Sequence, residues 1–369
     1  MPGPPRVPAR QSADRFVMLT FYSDRHHLHH GSSELFQGQV LPCFEMPRRA
    51  DNVLARVREL GLGEVRPPQA FGLEPVLRVH DPGFVLFLST AWDEWALTGR
   101  TDDALPLVWP VRGARLGRIP QDIGGKFGYY AMDPGVPITA GSWTAIQDSA
   151  NVALSGARAL LAGVRAVFSL CRPPGHHAAA RSMGGYCYLN NAAIAAQYMR
   201  DQGCPRVAIL DVDYHHGNGT QSIFYDRADV LYVSIHADPK VEYPAFLGYA
   251  DETGSGPGLG SNHNYPLPHG TAWTTYALVL IDACQKIQMY GPDALVVSLG
   301  VDTFEKEPMS AFLLKNDDYL RMGDSIGRLG LPTLFVMEGG YALDDIGTNV
   351  VNVLTGFEAA NPFRVLQKA

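Results

Sequence analysis

The chain has 369 residues, of which 46% are hydrophobic and 18% are charged, so it can bury a large core and is not broadly disordered. Its net charge of −7 and its pI near 5.9 disfavour a protein that binds nucleic acid or an anionic membrane. The five cysteines include no CxxC pair, which excludes a zinc ribbon and fits a reducing compartment such as the cytoplasm. No apolar run approaches the roughly 18 residues of a membrane span.

The first 17 residues contain three arginines and four prolines but lack the apolar segment of a secretory signal. We predict that residues 1–17 are a disordered extension and that residues 18–369 form one domain, which begins with the strand-like LTFYS (19–23). The stretch SDRHHLHH (23–30) is predicted to be an exposed loop and not a second metal site, because a histidine-rich tract is only a compositional signal.

Further along, Asp81 and Pro82 are predicted to be the N-cap and first residue of a helix. Residues 95–145 are rich in glycine, proline and aromatic residues and have no regular period. They predict a long insertion at about 95–140. Loops of that length usually contact a ligand or a partner, although a segment that simply packs on the flank of the sheet is the alternative.

From residue 166 onward, short apolar runs alternate with helical segments such as 190–203 and 274–291. This alternation predicts an α/β domain with an open parallel sheet covered by helices on both faces. The predicted strands are AVFSL (166–170), VAIL (207–210), VLYVSI (230–235), ALVVSL (294–299) and TLFVM (333–337).

Polar residues follow all five of these strands. In open α/β sheets, ligands bind outside the carboxyl ends of the strands, so five polar ends predict one site. The segments concerned are CRPPGHHAA, DVDYHHGNG, HAD, GVDTF and EGGY.

A metal site is predicted from Asp213, His215 and Asp302. Residues two apart on an extended segment point to the same side, so Asp213 and His215 can face one ion. Two carboxylates and one imidazole suit Zn²⁺ with a fourth position open, which is typical of a catalytic site. A lone DxH commonly caps a turn, and the metal interpretation therefore depends on Asp302 and on the neighbouring histidines.

His176 and His177 are expected to line the cleft from a tight turn imposed by RPPG. Histidine can exchange a proton near neutral pH, and each ring needs a partner that fixes its tautomer. Asp211 and Asn218 are the predicted partners. Tyr341 could donate a hydrogen bond to a developing oxyanion, although a tyrosine after two glycines often only packs.

Together these segments resemble the zinc-dependent histone deacetylase superfamily, which has the arginase–deacetylase fold. Within it, the chain resembles bacterial acetylpolyamine amidohydrolases from about residue 18 to about residue 355. The resemblance rests on RPPGHHAAARSMGGYCYLNNAAIAA, ILDVDYHHGNGTQSIFY, VSLGVDTF, VMEGGY, GQVLPCFEMPRRA and AFLGYADETG.

The resemblance implies an eight-stranded parallel sheet, one Zn²⁺ per chain and a deacetylase that acts on small cationic acetylated amines. Carried over by residue, it implies that Asp213, His215 and Asp302 bind zinc. It also implies that His177 with Asn218 is the general base and acid, and that His176 with Asp211 acts electrostatically. Tyr341 would stabilise the oxyanion.

The resemblance further implies substrate contacts from Tyr186, Tyr243, Gly185 and Gly339, of which the two tyrosines would wall the channel. A structural K⁺ or Na⁺ is expected near Asp211, Asp213, His215 and Ser234. A homodimer is expected through the 95–140 insertion, which would narrow the mouth of the site.

The chain departs from polyamine-specific relatives at Gly124 and Gly135, where those relatives have acidic residues that meet the distal ammonium. Asp122 and Asp133 lie close by in the sequence and could substitute for them.

Three alternative functions follow from the same motifs. A broad or protein acetyl-lysine deacetylase is opposed by the insertion across the mouth. A ureohydrolase with two Mn²⁺ ions would need a carboxylate at Phe304. A sensor without activity would have lost Tyr341, a histidine or a metal ligand.

Overall fold

The computed structural model describes residues 18–36, 38–111 and 113–360. The predicted disordered extension, residues 1–17, lies outside the described residues, so the domain boundaries stay a prediction. Within the described ranges, none of the helices combines the length and apolar character that crossing a membrane requires.

Eight of the strands form a single sheet in which every neighbouring pair is parallel. The strands are β1 (Leu19–Phe21), β2 (Glu34–Phe36), β3 (Gln39–Leu41), β4 (Val65–Arg66), β5 (Ala166–Ser169), β6 (Val207–Asp211), β7 (Val230–Ala237), β8 (Asn262–Leu267), β9 (Ala294–Leu299) and β10 (Thr333–Met337). The order across the sheet is β4-β1-β5-β10-β9-β6-β7-β8, and β2 pairs with β3 in a separate antiparallel ribbon.

Helices cover both faces of this sheet, which confirms the predicted fold class. They are α1 (Arg48–Glu59), α2 (Glu74–Leu77), α3 (Pro82–Leu97), α4 (Ile123–Tyr130), α5 (Ser142–Leu161), α6 (Asn191–Asp201), α7 (Asn218–Phe224), α8 (Trp273–Tyr290), α9 (Asn316–Gly327) and α10 (Ile346–Ala360). Two short 3₁₀ helices cover Asp24–Leu28 and Gly256–Gly258.

Strand β6 shows why the central strands are apolar throughout. Its side chains alternate between two cores, with Ala208 and Leu210 in the core beneath α1, α8, α9 and α10, and Val207 and Ile209 in the core beneath α5 and α6. A parallel strand covered on both faces has no solvated side, so its sequence does not alternate with polar residues.

The five strands with polar ends are adjacent, since β5, β10, β9, β6 and β7 are consecutive in the sheet. The carboxyl ends of parallel neighbours meet at one edge, so the segments that follow these strands converge there. The predicted helix start is also present, because the Asp81 side chain accepts hydrogen bonds from the backbone N–H groups of Gly83 and Phe84.

The predicted 95–140 insertion is partly packed and partly exposed. It contains α4, whose Phe127 ring lies edge-on 5.2 Å from Phe87 of α3. The connection before α4 instead leaves Leu107 and Val111 in solvent. One part of the insertion therefore packs against the domain, and contact with a ligand or a partner stays a prediction for the exposed part.

The prediction of an exposed loop at SDRHHLHH was wrong. The stretch forms a 3₁₀ helix that contacts α5, and His26 and His29 are buried. His29 Nδ1 lies 2.8 Å from Ser142 Oγ at the start of α5, and Arg25 pairs with Asp148. Local composition could not reveal this burial, because the covering helix lies more than 110 residues away in the sequence.

Candidate active site

A cavity of about 510 Å³ opens where the central strands end. His177, His215, Tyr243 and Tyr341 line it, and they follow β5, β6, β7 and β10 respectively. Residues from four strand ends therefore face one space, as the polar ends in the sequence predicted.

Asp213, His215 and Asp302 meet at the floor of this cavity. His215 Nδ1 lies 3.1 Å from Asp302 Oδ2 and 3.5 Å from Asp213 Oδ1, and all three side chains are buried. Gly339 N–H donates to Asp213 Oδ2 at 2.8 Å, and Tyr214 N–H donates to Asp302 Oδ1 at 2.7 Å, so backbone groups orient both carboxylates.

These donor atoms fit a divalent cation. Burial disfavours a charge on His215, yet Asp213 and Asp302 raise the pKa of its ring to about 10. Burial and the neighbouring Asp213 raise the pKa of Asp302 to about 6. To bind an ion, His215 would release its ring proton, and the ion would then compensate the two buried carboxylates. Two oxygens with one imidazole nitrogen suit Zn²⁺ with a position left for water.

His176 and His177 stand side by side above this triad, with ring centroids 4.0 Å apart. His176 Nδ1 is 3.1 Å from Asp211 Oδ2, and His177 Nδ1 is 2.7 Å from Asn218 Oδ1. The structure thus brings each histidine to the partner predicted for it. Because the amide oxygen of Asn218 can only accept, His177 Nδ1 holds the proton and Nε2 presents a lone pair.

The two histidines differ in charge. Burial opposes protonation of His176, but Asp213 and Asp211 raise its pKa to about 10. Burial lowers the pKa of His177 well below its usual range, and the adjacent His176 and His215 lower it further. One ring is therefore cationic and the other neutral near pH 7, which separates an electrostatic role from a proton-accepting role.

Tyr341 is held by residues that sequence reasoning missed. The Glu307 carboxylate accepts from Tyr341 N–H at 2.9 and 3.0 Å and from Ala342 N–H at 3.0 Å. Arg49 donates to the carbonyls of Glu338 and Gly340, both at 2.6 Å, and its guanidinium lies 4.6 Å from the centroid of the Tyr341 ring.

These contacts fix the position of the Tyr341 ring, and none of them involves its hydroxyl. Burial raises the pKa of Tyr341 well above its usual range, so the phenol stays a hydrogen-bond donor. Among the missed residues, Glu338 had a sequence signal, since it is a charged residue directly after β10. Arg49 lies in the motif GQVLPCFEMPRRA, but its role and that of Glu307 were not visible in the sequence, because their contacts depend on segments far away in the chain.

The predicted channel walls also line the cavity. The Tyr243 ring lies edge-on 4.9 Å from His177, and the Tyr186 ring lies 5.6 Å from Tyr341. Gly185 adopts φ +52, and a side chain there would collide with His177 at 2.4 Å. A side chain at Gly339 would come within 2.7 Å of both metal-site carboxylates. Both glycines therefore permit a close approach of the backbone to the site.

Asp211 and Ser234 lie opposite each other in the register of β6 and β7, and Ser298 of β9 flanks Asp211 on the other side. The Ser234 hydroxyl is 2.7 Å from His236 Nδ1, whereas Ser298 Oγ is buried without a hydrogen-bond partner. The predicted monovalent-cation residues are thus brought together, and Ser298 is an additional oxygen that the sequence did not suggest.

The two aspartates proposed as substitutes at the mouth have different positions. Asp122 is the N-cap of α4 and accepts from Gly125 N–H, so it does not line the cavity. Asp133 lines the cavity, as does Gly135, and its carboxylate accepts from Gly135 N–H, Gly185 N–H and Tyr243 OH. Asp133 therefore holds the channel walls in place.

His26, His27 and Asp51 also come within the spacing of a metal site. However, Arg172 Nη1 faces His26 Nδ1 at 3.5 Å and donates to the His26 carbonyl at 2.6 Å. Because a guanidinium can only donate, His26 holds its proton on Nε2, the atom that would have to bind the ion. This arrangement favours a hydrogen-bonded cluster over a second metal site.

The chain was compared with known families, proteins and structures. Residues 43–357 match the histone deacetylase domain. Acetylpolyamine amidohydrolase 2 of Pseudomonas aeruginosa is 64% identical over 344 residues, which span 93% of this chain and 100% of that protein. Acetylpolyamine amidohydrolase of Mycoplana ramosa is 49% identical over 339 residues, which span 92% and 99%.

The fold is similar to a crystal structure of acetylpolyamine aminohydrolase from Burkholderia pseudomallei, with a TM-score of 0.89 and 40% identity over 93% of this chain and 99% of that one. The family match spans most of the described residues and includes His177, Asp213 and Tyr341. The chain therefore belongs to the histone deacetylase family, as its strand-end motifs predicted.

Proposed function

We propose that this chain is a zinc-dependent amidohydrolase that removes the acetyl group from acetylated polyamines or similar small acetylated amines, giving acetate and the free amine. The observation that carries the proposal is the convergence of the Asp213–His215–Asp302 triad, the neutral His177 and the donor Tyr341 on one cavity. The similarity to proteins named acetylpolyamine amidohydrolase supports the substrate class.

The metal proposed is one Zn²⁺ per chain, held by Asp213, His215 and Asp302. When bound, it supplies Lewis acidity toward the acetyl carbonyl and toward water. The geometry supports this assignment because the triad has no Lys or Arg partner in the described contacts, although its two carboxylates are buried.

His177 would serve first as a base and then as an acid. Its Nδ1–H is held by Asn218, so the Nε2 lone pair is the group that accepts the proton of the attacking water. The same proton then passes to the nitrogen of the leaving amine as the amide C–N bond breaks. The lowered pKa of His177 keeps the ring unprotonated before the reaction starts.

His176 and Tyr341 would stabilise charge that develops during this attack. The cationic His176, paired with Asp211, lies beside the base and favours negative charge on the reacting atoms. The Tyr341 hydroxyl donates a hydrogen bond to the carbonyl oxygen as that oxygen becomes negative and keeps its proton. The resulting intermediate breaks down to acetate and amine. Together, these two products contain all the atoms of the amide and of the water.

The methylene segment of the substrate, between its acetamide and its distal amine, would lie between Tyr186 and Tyr243. Gly185 and Gly339 would leave room for the substrate and for the metal ligands. A structural K⁺ or Na⁺ is proposed beside Asp211, Asp213, His215 and Ser234. The buried hydroxyl of Ser298, which has no partner, supports an oxygen-lined site next to Asp211.

We also propose a homodimer that forms through the 95–140 insertion. Five large apolar side chains in its connection are exposed in the single chain, which is unusual for a free surface. They are Leu107, Val108, Val111, Leu116 and Ile119. The expected test is Val111→Asp, which should convert the dimer to a monomer in multi-angle light scattering, whereas Leu86→Asp on the exposed side of α3 should leave the dimer intact.

The proposed location is the cytoplasm. All five cysteines are free and four of them are buried, as expected for a protein that folds under reducing conditions.

The test of the activity is to measure kcat/KM of the zinc-loaded protein on N-acetylputrescine and on an acetyl-lysine peptide, with His177→Ala as the control. A preference for the small amine that the substitution abolishes is the expected result. Equal or better cleavage of the peptide would instead support a broad or protein-directed deacetylase. Absence of turnover on both substrates, with zinc bound, would contradict the proposed function.

A further inference from the structure

The cavity has an anionic mouth. Of its lining residues in the described chain, Asp133 and Glu242 are acidic, and none is Lys or Arg. A cationic substrate is therefore attracted to this cavity, and the two carboxylates are the groups that could meet its distal ammonium.

The carboxylates of Asp133 and Glu242 differ in how many further hydrogen bonds they can accept. Asp133 accepts three hydrogen bonds at 2.6–2.9 Å from groups that form the channel walls. Glu242 lies in the connection between β7 and β8, and its side chain is 23% exposed, so solvent and substrate can reach it.

Neutral groups hold Glu242 in one position without removing its charge. Tyr214 OH donates to Oε2 at 2.8 Å, and Tyr243 N–H donates to Oε1 at 3.0 Å. A carboxylate offers about four acceptor sites, so capacity for a further donor remains. Such an anion, already ordered, loses little conformational entropy when an ammonium binds.

One side chain of the protein already lies at this carboxylate. His269 Nε2 lies 3.2 Å from Glu242 Oε2, and its side chain is 44% exposed. His269 also lines the cavity. A substrate ammonium that binds Glu242 would therefore have to displace His269 from the carboxylate.

We propose that Glu242 is the residue that binds the distal ammonium of the substrate and thereby selects cationic acetylated amines, with His269 as its resident competitor. The proposal rests on the proposed function. Glu242 directly precedes the channel-wall residue Tyr243, whose ring contacts His177. The carboxylate is therefore one residue from the wall of the channel and on the same connection, so an amine that extends past Tyr243 reaches it.

The test compares N-acetylputrescine with the neutral isostere N-pentylacetamide, in which a methyl group replaces the distal ammonium. The ratio of their kcat/KM values measures recognition of the charge. In Glu242→Gln we expect this ratio to fall about tenfold, through a higher KM for the charged substrate, which corresponds to about 1.4 kcal/mol of lost binding free energy. The matched control is Glu305→Gln, which changes an exposed glutamate outside the cavity lining and should keep the wild-type ratio.

A second variant moves the ratio in the opposite direction. Removing the competitor in His269→Ala should raise the ratio about twofold to threefold, because the carboxylate then loses the side chain that occupies one of its acceptor positions. This variant tests the proposal even if Glu242→Gln does not fold.

An unchanged ratio in both variants would overturn the role of Glu242 while leaving the deacetylase function in place. Turnover of neither compound by the wild-type protein would overturn the proposed function itself, and the ammonium site with it. The two failures are therefore distinguishable.

Discussion

At the floor of the cavity, polar side chains are buried against partners from other strands, whereas the mouth leaves both apolar and charged side chains in solvent. Asp211 and Asp302 are fully buried, while Leu35 and the Glu242 side chain, which line the cavity at its mouth, are 58% and 23% exposed. The floor is built from the ends of five parallel strands, and the mouth from connections. This contrast indicates that residues at the strand ends determine which reaction takes place. The connections determine which substrates reach those residues.

The largest expected effect tests the floor as a metal site. Asp302→Asn removes one of the two carboxylates that face His215, so the protein should lose most of its bound zinc and its activity together. Metal content by mass spectrometry after dialysis, beside kcat/KM, measures both. Asp122→Asn, at the N-cap of α4 and outside the cavity lining, is the control and should keep full zinc. Full zinc in Asp302→Asn would contradict the assignment of the triad.

The next effect tests the proton-transfer and oxyanion groups. His177→Ala and Tyr341→Phe should each lower kcat by about 10²–10³-fold, because each removes a group that acts in the transition state. KM should change far less, and zinc content should stay at the wild-type level. A loss of zinc in either variant would mean that the residue has a structural role at the floor.

A third prediction concerns the support beneath the floor, where Glu45 is buried between Arg172 and Arg49. Arg172 Nε and Arg49 Nη1 lie 2.9 and 2.8 Å from Glu45 Oε1. Burial alone would raise the pKa of Glu45 from its ordinary value of 4.5, but the two guanidinium groups outweigh burial and hold it at about 2.

Because this pKa is lowered by folding, the ion pairs stabilise the protein fully above pH 4.5 and lose that contribution as the pH falls toward 2. Glu45→Gln should lower the free energy of unfolding near pH 7 by about 3 kcal/mol and weaken its dependence on pH between 4.5 and 2. Urea unfolding across this pH range measures both. An unaltered acid profile in the variant would contradict the role of the ion pairs.

The smallest effect is expected at the mouth. Tyr243→Phe keeps the ring that packs on His177 but removes the hydroxyl that donates to Asp133 at 2.6 Å. A lost hydrogen bond that leaves a carboxylate with two other donors should lower kcat/KM by about threefold to tenfold, mostly through KM. Steady-state kinetics on N-acetylputrescine measures it. A fall in kcat that exceeds the rise in KM would place Tyr243 with the floor and weaken the contrast between the two regions.

The floor was more predictable from the sequence than the mouth. His177 with Asn218 and Asp213 with His215 follow strands whose apolar runs are visible in the sequence, and parallel strands bring their carboxyl ends together. The histidines of SDRHHLHH were misjudged because the α5 helix that buries them comes from a distant part of the chain. Glu242 was overlooked for a similar reason, since only the folded connection after β7 brings it to the cavity.

By itself, the sequence determined six of the eight strands of the sheet, the residues at the carboxyl ends of the central ones and the family, but not β4 and β8. These properties follow from local apolar patterning and from motifs that keep their spacing. The tertiary structure decided which partners orient those residues, as with Glu307 and Arg49 around Tyr341. It also decided which carboxylate of the mouth is held by the walls and which is accessible. Such pairings join segments far apart in the chain, and only the packed fold sets the distances and the burial that give them their charge.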